Sequence, residues 1–199
     1  MVNAILSDRK TQTRRVLATY QDAVKFCPEW DVNGKQIFIV LGEKDHTGMN
    51  PVITAIPCPF GQPGDRIWVR ETFRVHSRAT DVATLVYRAS VRNSWTEQTH
   101  RVPVAVCNKP ATPEKWTPSI HMPRWSSRIT LEITDVRVER LNSITESDAE
   151  AEGVTDTGFG DLLVDGFRYL WKSIYGDDSW QANPWVWVIE FKRVEGGAA

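Results

Sequence analysis

Two long segments of this chain alternate polar and apolar side chains in the way that half-buried β-strands do. Residues 128–138 and 185–192 are rich in β-branched and aromatic side chains and keep this period of two. Shorter segments complete the pattern, strand-like at 52–56 and 66–70 and helical at 2–9, 148–152 and 159–174. Strands and helices do not alternate as they do in a βαβ chain. The sequence therefore predicts an α+β fold, a small mixed β-barrel with a few flanking helices.

Turn residues and prolines predict how the segments connect. The dipeptide Asn33-Gly34 lies between two strand-like stretches and is typical of a hairpin with a type I′ turn. Residues 71–125 are less regular, with possible strands at 84–88 and 101–106 and a proline-rich run after them. A chain of 199 residues fits one domain. We therefore expect a single domain in which 71–125 is an insertion.

The charge of the chain limits its nucleic-acid partners. The formal net charge is −1, whereas proteins that rely on nonspecific phosphate contacts are usually basic. One local basic patch occurs near the N-terminus, where Arg9, Lys10, Arg14 and Arg15 face a single acidic residue, Asp8. Four positive charges and one negative charge give this patch a net charge of +3. A nucleic-acid partner is thus expected to be small, single-stranded or bound through this patch.

Cysteine and histidine usage indicates no metal site. The three cysteines are odd in number and widely spaced, and the four histidines lack both the i,i+4 pair and the HxE…PCxxC arrangement. This argues against a structural zinc site and against zinc-dependent base deamination. We expect no metal and no cofactor. The chain also has no apolar run of the roughly 18 residues that a membrane span needs, so a cytoplasmic location is expected.

The segment from Lys10 to Arg15 is the strongest candidate for chemistry. If helix continues to Thr13, Lys10 and Thr13 share a face; if the chain is extended, Thr13 and Arg15 do. Either arrangement places a hydroxyl near cations. A desolvated lysine beside other cations loses its proton more readily and can act as a base toward a hydroxyl. A solvated basic turn is the competing interpretation.

Residues 4–15 resemble the signature segment of the ASCH family, which reads Gly-x-Lys-x-x-Glu-x-Arg. Lys10 and Arg15 match it, Asp8 stands in place of the glycine, and Thr13 stands in place of the glutamate. The threonine variant is similar to that of the small bacterial ASCH amidohydrolases that act on acetylcytidine. The chain also resembles longer ASCH-domain proteins of phages and prophages. The resemblance implies a PUA-like barrel.

Other segments extend the resemblance. Residues 63–69 resemble the family's Gly-Asp strand, and 149–154 with 187–192 resemble the C-terminal part of the amidohydrolases. This alignment places the family's catalytic glutamate at Glu152. Glu71, which follows the Gly-Asp strand, is a reserve carboxylate.

The resemblance implies an amidohydrolase that removes an acyl group from the exocyclic amine of a modified pyrimidine nucleoside. In that mechanism Lys10 takes the proton from Thr13, whose oxygen attacks the acyl carbonyl. Glu152 protonates the departing amine, and Arg15 holds the oxyanion. Lys10, Thr13 and Glu152 are therefore expected to converge on one cleft.

Two further residues are candidates for substrate binding. Arg14 belongs to the same basic segment, and Trp125 lies in a loop where an aromatic ring can stack on a base. A loop held by a buried tryptophan is the alternative for Trp125. Two other functions remain open: a noncatalytic module that binds RNA or a nucleotide, and an RNA-cleaving ASCH domain. The expected partner is a modified nucleoside or single-stranded RNA.

Overall fold

The computed structural model describes residues 1–155 and 162–194 and shows a mixed α+β fold whose paired strands are mostly antiparallel. The chain divides into two compact units. Unit one comprises Met1–Ser7, Arg66–Leu131 and Arg193–Ala199, and unit two comprises Asp8–Asp65 and Glu132–Lys192. The predicted insertion at 71–125 falls inside unit one, and the prediction of a single domain stays a prediction.

The helices and strands are numbered in chain order. The helices are α1 (Val2–Leu6), α2 (Trp95–Gln98), α3 (Glu146–Ala151) and α4 (Leu163–Tyr175). The strands are β1 (Gln12–Val16), β2 (Lys25–Trp30), β3 (Gln36–Leu41), β4 (Val52–Ile56), β5 (Arg66–Trp68), β6 (Phe73–Arg78), β7 (Val82–Tyr87), β8 (Thr99–Pro103), β9 (Thr130–Arg140) and β10 (Trp185–Val194).

In unit two, β10 lies between β1 and β9 and gives the sheet two different faces. Val186 and Val188 of β10 belong to a core that also contains Phe167 and Trp171 of α4. On the next residue of β10, the Trp187 ring packs edge-on against Phe38 of β3, with 5.2 Å between ring centroids. Because side chains alternate along a strand, one face of β10 meets the helices and the other meets β3.

The predicted hairpin forms between β2 and β3, but its turn differs from the expectation. The backbone N–H of Asp31 donates to the carbonyl of Lys35, which closes a longer loop than a two-residue turn. Gly34 has φ 73°, whereas Asn33 is not among the described residues with positive φ. A type I′ turn requires positive φ at both central residues, so the type I′ prediction was wrong.

Residues at both ends fix where the short helix α3 begins and ends. The Thr145 side chain accepts a hydrogen bond from the Asp148 N–H, and the Asp148 carboxylate accepts one from the Thr145 N–H, which forms a capping box. Gly153 follows with φ 87°, a conformation that ends helices. Thr145 and Gly153 thus set the two ends of this helix, which the sequence predicts at 148–152. Helix α4 begins at Leu163; residues 159–161 of the helix predicted at 159–174 lie outside the described residues.

Unit one contains the antiparallel sheet β6-β7-β8. Phe73 and Val75 of β6 join Leu85 and Tyr87 of β7 in a buried core. The predicted strands at 84–88 and 101–106 correspond to β7 and β8, whereas β6 was not predicted. Within residues 1–155 and 162–194, no helix is both long and apolar enough to cross a membrane.

Candidate functional site

The start of β1 presents a row of polar side chains to the helices of unit two. Lys10, Gln12 and Arg14 are buried, whereas Thr13 is half-buried and Arg15 is exposed. The backbone is extended from Thr11 onward, since its carbonyl accepts from the Phe191 N–H. The strand period of two therefore places Lys10, Gln12 and Arg14 on one face.

Lys10 and Glu152 form a buried ion pair at the C-terminal end of α3. The Lys10 Nζ lies 2.6 Å from Glu152 Oε2 and donates a second hydrogen bond to the Glu152 carbonyl at 2.9 Å. Only 6% and 4% of the two side chains are exposed. A backbone bridge between Lys10 and Glu152, and a hydrogen bond from the Thr11 N–H to the Ala151 carbonyl, hold the two segments together. Burial lowers the pKa of Lys10, and the Glu152 charge partly opposes that effect.

Arg14 adds a second cation to the same carboxylate. Its Nη1 lies 3.5 Å from Glu152 Oε1, and its Nη2 lies 3.3 Å from Asp148 Oδ2. These are ion-pair distances without hydrogen-bond geometry: Arg14 Nε and Nη2 and Glu152 Oε1 make no hydrogen bond to the described residues. Nη1 does donate to Gln12 Oε1 at 2.8 Å. Buried polar atoms without such a bond are costly, so the cluster has unused donors and an unused acceptor.

Asp148 connects the cluster to the neighbouring strands. Its Oδ1 accepts from Gln12 Nε2 at 3.1 Å and from Arg137 Nη2 at 2.9 Å, and Arg137 also pairs with Glu190. Desolvation alone raises the pKa of Asp148. Hydrogen bonds from Thr145 and Gln12 and the charge of Arg14 outweigh it and lower the pKa to about 2. Asp148 is therefore ionised at neutral pH.

A cavity of about 580 Å³ lies in unit two, lined by residues that flank Lys10 and Glu152 in sequence. Its wall includes Thr11 and Ala151, which adjoin Lys10 and Glu152 in sequence, together with Arg9, Ser147 and Glu150. Val154 and Leu163 add apolar surface. Ligand sites usually have volumes of about 300–1,000 Å³ and combine apolar walls with a few polar groups. The volume of this cavity falls within that range, and its wall combines both kinds of side chain.

Asp8, which stands where the signature that this segment resembles has a glycine, has φ 53°. Glycine adopts this left-handed conformation easily, and aspartate tolerates it better than most other residues. The backbone between α1 and β1 therefore keeps a path that suits glycine, although the residue differs. The predicted helix 2–9 ends earlier, at Leu6.

The structure brings Lys10, Arg14 and Glu152 together and places Thr13 elsewhere. Thr13 pairs with Ile189 and Arg15 with Trp187, so both lie on the face of the sheet opposite the cluster. The expected convergence of Thr13 with Lys10 fails for a simple physical reason. Three residues along an extended strand separate two side chains by about 10 Å and turn them to opposite faces.

The two remaining candidates have structural partners in unit one. Both oxygens of Glu71 accept hydrogen bonds from Arg128, at 3.1 and 2.9 Å. Trp125 packs edge-on against Phe73 of the buried core, with 6.4 Å between ring centroids. The placement of Trp125 is that of the alternative interpretation, a loop held by a largely buried tryptophan.

Gln12, Asp148 and Arg137 belong to the cluster but were not among the predicted site residues. Gln12 could have been found, because two residues separate it from Lys10 on an extended segment. Asp148 was interpreted only as a helix residue. Nothing in the local sequence of Arg137 distinguishes it from an exposed arginine on a strand.

Comparison with known proteins leaves the chain without an assigned family. No family model matches it, and neither a curated protein nor a solved structure is significantly similar to it.

Proposed function

We propose that this protein is a PUA-like ASCH hydrolase that removes an acyl group from the exocyclic amine of a modified pyrimidine nucleoside. The buried pair of Lys10 and Glu152 carries the proposal. These residues are 142 positions apart, yet their side chains meet at 2.6 Å. The resemblance to the acetylcytidine amidohydrolases implies proton-transfer roles for the same two residues, with Lys10 as base and Glu152 as acid; for attack by water we propose the reverse assignment, with Glu152 as base and Lys10 as acid.

The ion pair supplies the two proton transfers that amide hydrolysis needs. Glu152 accepts a proton from a water molecule as the water oxygen attacks the acyl carbonyl, and a new C–O bond forms. Lys10 donates a proton to the exocyclic nitrogen as the C–N bond breaks. The products are a carboxylic acid and the free amine of the base. The net reaction consumes one water molecule, and proton exchange between the residues restores both.

Two features beside the pair support substrate binding. The unused N–H groups of Arg14 can donate to the carbonyl oxygen as negative charge develops on it. The adjacent cavity of about 580 Å³ has room for a nucleoside. A nucleophilic role for Thr13, which the resemblance implies, is a separate prediction, since Thr13 lies on the other face of β1.

The test is the hydrolysis of acetylcytidine and of cytidines with larger acyl groups, followed by chromatography of the released nucleoside. Glu152→Gln removes the proton acceptor but keeps the shape, and we expect it to lower the rate by about 100-fold or more. Lys10→Met should have a similar effect. Glu132→Gln is the matched control, because Glu132 forms an ion pair with Lys192, whose side chain is 59% exposed. This control should keep the wild-type rate.

Unchanged turnover in Glu152→Gln would show that the pair is structural. Binding of the nucleoside by the wild-type protein without any product would instead support the noncatalytic nucleotide-binding alternative. Cleavage of RNA that Glu152→Gln abolishes would support the third candidate, an RNA-cleaving domain.

A further inference from the structure

The net charge of the chain is near zero because a strongly basic part and a strongly acidic part cancel. Residues 66–131, which form most of unit one, contain eleven Lys and Arg and four Asp and Glu, a net charge of +7. The whole chain has a net charge of −1, so all other residues together carry −8. Unit one is thus as basic as a small nucleic-acid-binding module.

Little of this positive charge is neutralised within the unit. Between residues 66 and 131, Arg128 is the one cation within ion-pair distance of a described carboxylate. Glu97, another of the four acidic residues, accepts hydrogen bonds from Ser94 at the start of α2. Eight of the eleven cations are exposed: Arg66, Arg70, Arg78, Arg88, Arg92, Arg101, Lys115 and Arg124. Such a surface attracts polyanions.

The sheet β6-β7-β8 gives part of this charge a defined geometry. Val75 pairs with Leu85, and both face the buried core. Arg74 lies on the opposite face of β6, and Arg101 pairs with Thr84 next to Leu85, which places it on that same outer face. Two arginines from the two outer strands thus flank one side of the sheet.

Aromatic side chains contact β6 near these arginines. Trp95 is 51% exposed and packs edge-on against His76, with 5.1 Å between ring centroids. The guanidinium of Arg74 lies over the Trp116 ring, 4.6 Å from its centroid. Trp95 and Arg101 also line a cavity of about 390 Å³. An exposed indole ring and a flat guanidinium group are the two side-chain surfaces on which unpaired bases stack.

We propose that the outer face of β6-β7-β8 binds single-stranded nucleic acid. Bases stack on the exposed ring of Trp95, and Arg74, Arg101 and the surrounding arginines contact the phosphates. A duplex keeps its bases stacked inside the helix, so this surface favours single strands. The inference is independent of the proposed hydrolase, because all of these residues belong to unit one and the ion pair of Lys10 and Glu152 belongs to unit two.

The experiment measures fluorescence anisotropy of labelled oligouridine and oligodeoxythymidine of about 12 nucleotides, a length within the range of known single-strand sites. A duplex of equal length and heparin are competitors, and salt is varied from about 50 to 200 mM. We expect the single strands to bind more tightly than the duplex. Trp95→Ala should weaken their binding about tenfold. Arg74→Ala with Arg101→Ala should reduce the slope of log affinity against log salt by about 1.4.

Matched controls come from unit two. Trp30 is 65% exposed on β2, so Trp30→Ala removes an equally accessible indole ring, and Lys25→Ala with Lys35→Ala removes two charges. These variants should bind like the wild type, and Trp95→Ala should keep any nucleoside hydrolysis. Three results would each overturn the proposal. They are no binding at about 50 mM salt and 100 µM protein, equal losses in Trp95→Ala and Trp30→Ala, or heparin and duplex binding as tight as single-strand binding with no effect of Trp95→Ala.

Discussion

Each unit of this protein contains a buried carboxylate paired with a cation, but the two pairs are satisfied to different degrees. In unit one, the Glu71 side chain is fully buried, and both of its oxygens accept hydrogen bonds from Arg128. Arg128 also donates to Ser90 Oγ at 2.8 Å and lies over the Tyr87 ring, 4.1 Å from its centroid. Every charged oxygen of this pair therefore has a partner.

The pair in unit two is as deeply buried but is less complete. Glu152 Oε2 meets Lys10 at 2.6 Å, whereas its Oε1 and two nitrogens of Arg14 lack hydrogen bonds within residues 1–155 and 162–194. A saturated pair serves the fold, because no polar atom remains for a ligand. An unsaturated pair retains polar atoms that can bind a ligand. Both pairs are deeply buried, and they differ in the completeness of their hydrogen bonds.

The largest expected effect on stability is in the saturated pair. Arg128→Met leaves the Glu71 carboxylate buried without its cation, which should lower the free energy of unfolding by about 3–5 kcal/mol. Urea unfolding followed by tryptophan fluorescence measures this change. Lys192→Met is the control, since it breaks a largely exposed ion pair and should cost less than about 1 kcal/mol. A loss as small as that of the control would contradict a structural role for the pair.

Replacing both members of each pair sharpens the contrast. Arg128→Met with Glu71→Leu should recover much of the lost stability, because a buried ion pair can be replaced by apolar side chains of similar volume. Lys10→Met with Glu152→Leu should likewise fold, but it should not hydrolyse acetylcytidine. Full turnover in that double variant would show that hydrolysis does not need the pair of Lys10 and Glu152, which would then be structural like the pair in unit one.

A smaller effect is expected at Asp148, which belongs to the cluster of unit two. Its pKa is lowered to about 2 in the folded protein from 3.8, so the ionised carboxylate stabilises the fold above pH 4, and that stabilisation is lost as the pH falls toward 2. Asp148→Asn should lower the free energy of unfolding by about 1–2 kcal/mol at pH 7. The difference from the wild type should narrow between pH 4 and pH 2. A difference that does not depend on pH would show that shape, not charge, accounts for the contribution of Asp148.

The smallest effect is expected at Thr13. Thr13→Val keeps the shape of the side chain and removes the hydroxyl, which lies on the face of β1 opposite Lys10 and Glu152. Turnover of acetylcytidine should change by less than about fivefold, which corresponds to under about 1 kcal/mol of transition-state stabilisation. Complete loss of turnover in a folded Thr13→Val protein would instead establish Thr13 as the nucleophile that the resemblance to the ASCH amidohydrolases implies.

Local patterns predicted much of the secondary structure. The strand 52–56 was predicted with the bounds of β4, and alternation also located β10. The cap at Thr145 was predictable because it depends on side chains only three positions apart. Strand β6 was missed because it contains Arg74, His76 and Arg78 and lies in a region whose prolines favoured loops.

The candidate site was predictable only in part. Lys10 was identified from its basic segment and Glu152 through the resemblance, but which faces of β1 Lys10 and Thr13 occupy depends on the pairing of β1 with β10. No local pattern specifies a register between residues more than 170 positions apart. The charge separation was missed for a similar reason, since an average over the whole chain cancels +7 against −8.

The conformation of Asp8 bears on how such a motif changes during evolution. Codons for glycine and aspartate differ at a single nucleotide, and aspartate is likewise one nucleotide from asparagine. These are the residues that tolerate the left-handed backbone observed at Asp8, with φ 53°. A lineage can therefore exchange them by single mutations while the chain enters β1 along the same path. The backbone conformation at this position therefore limits which residues can occupy it more than the charge of the side chain does.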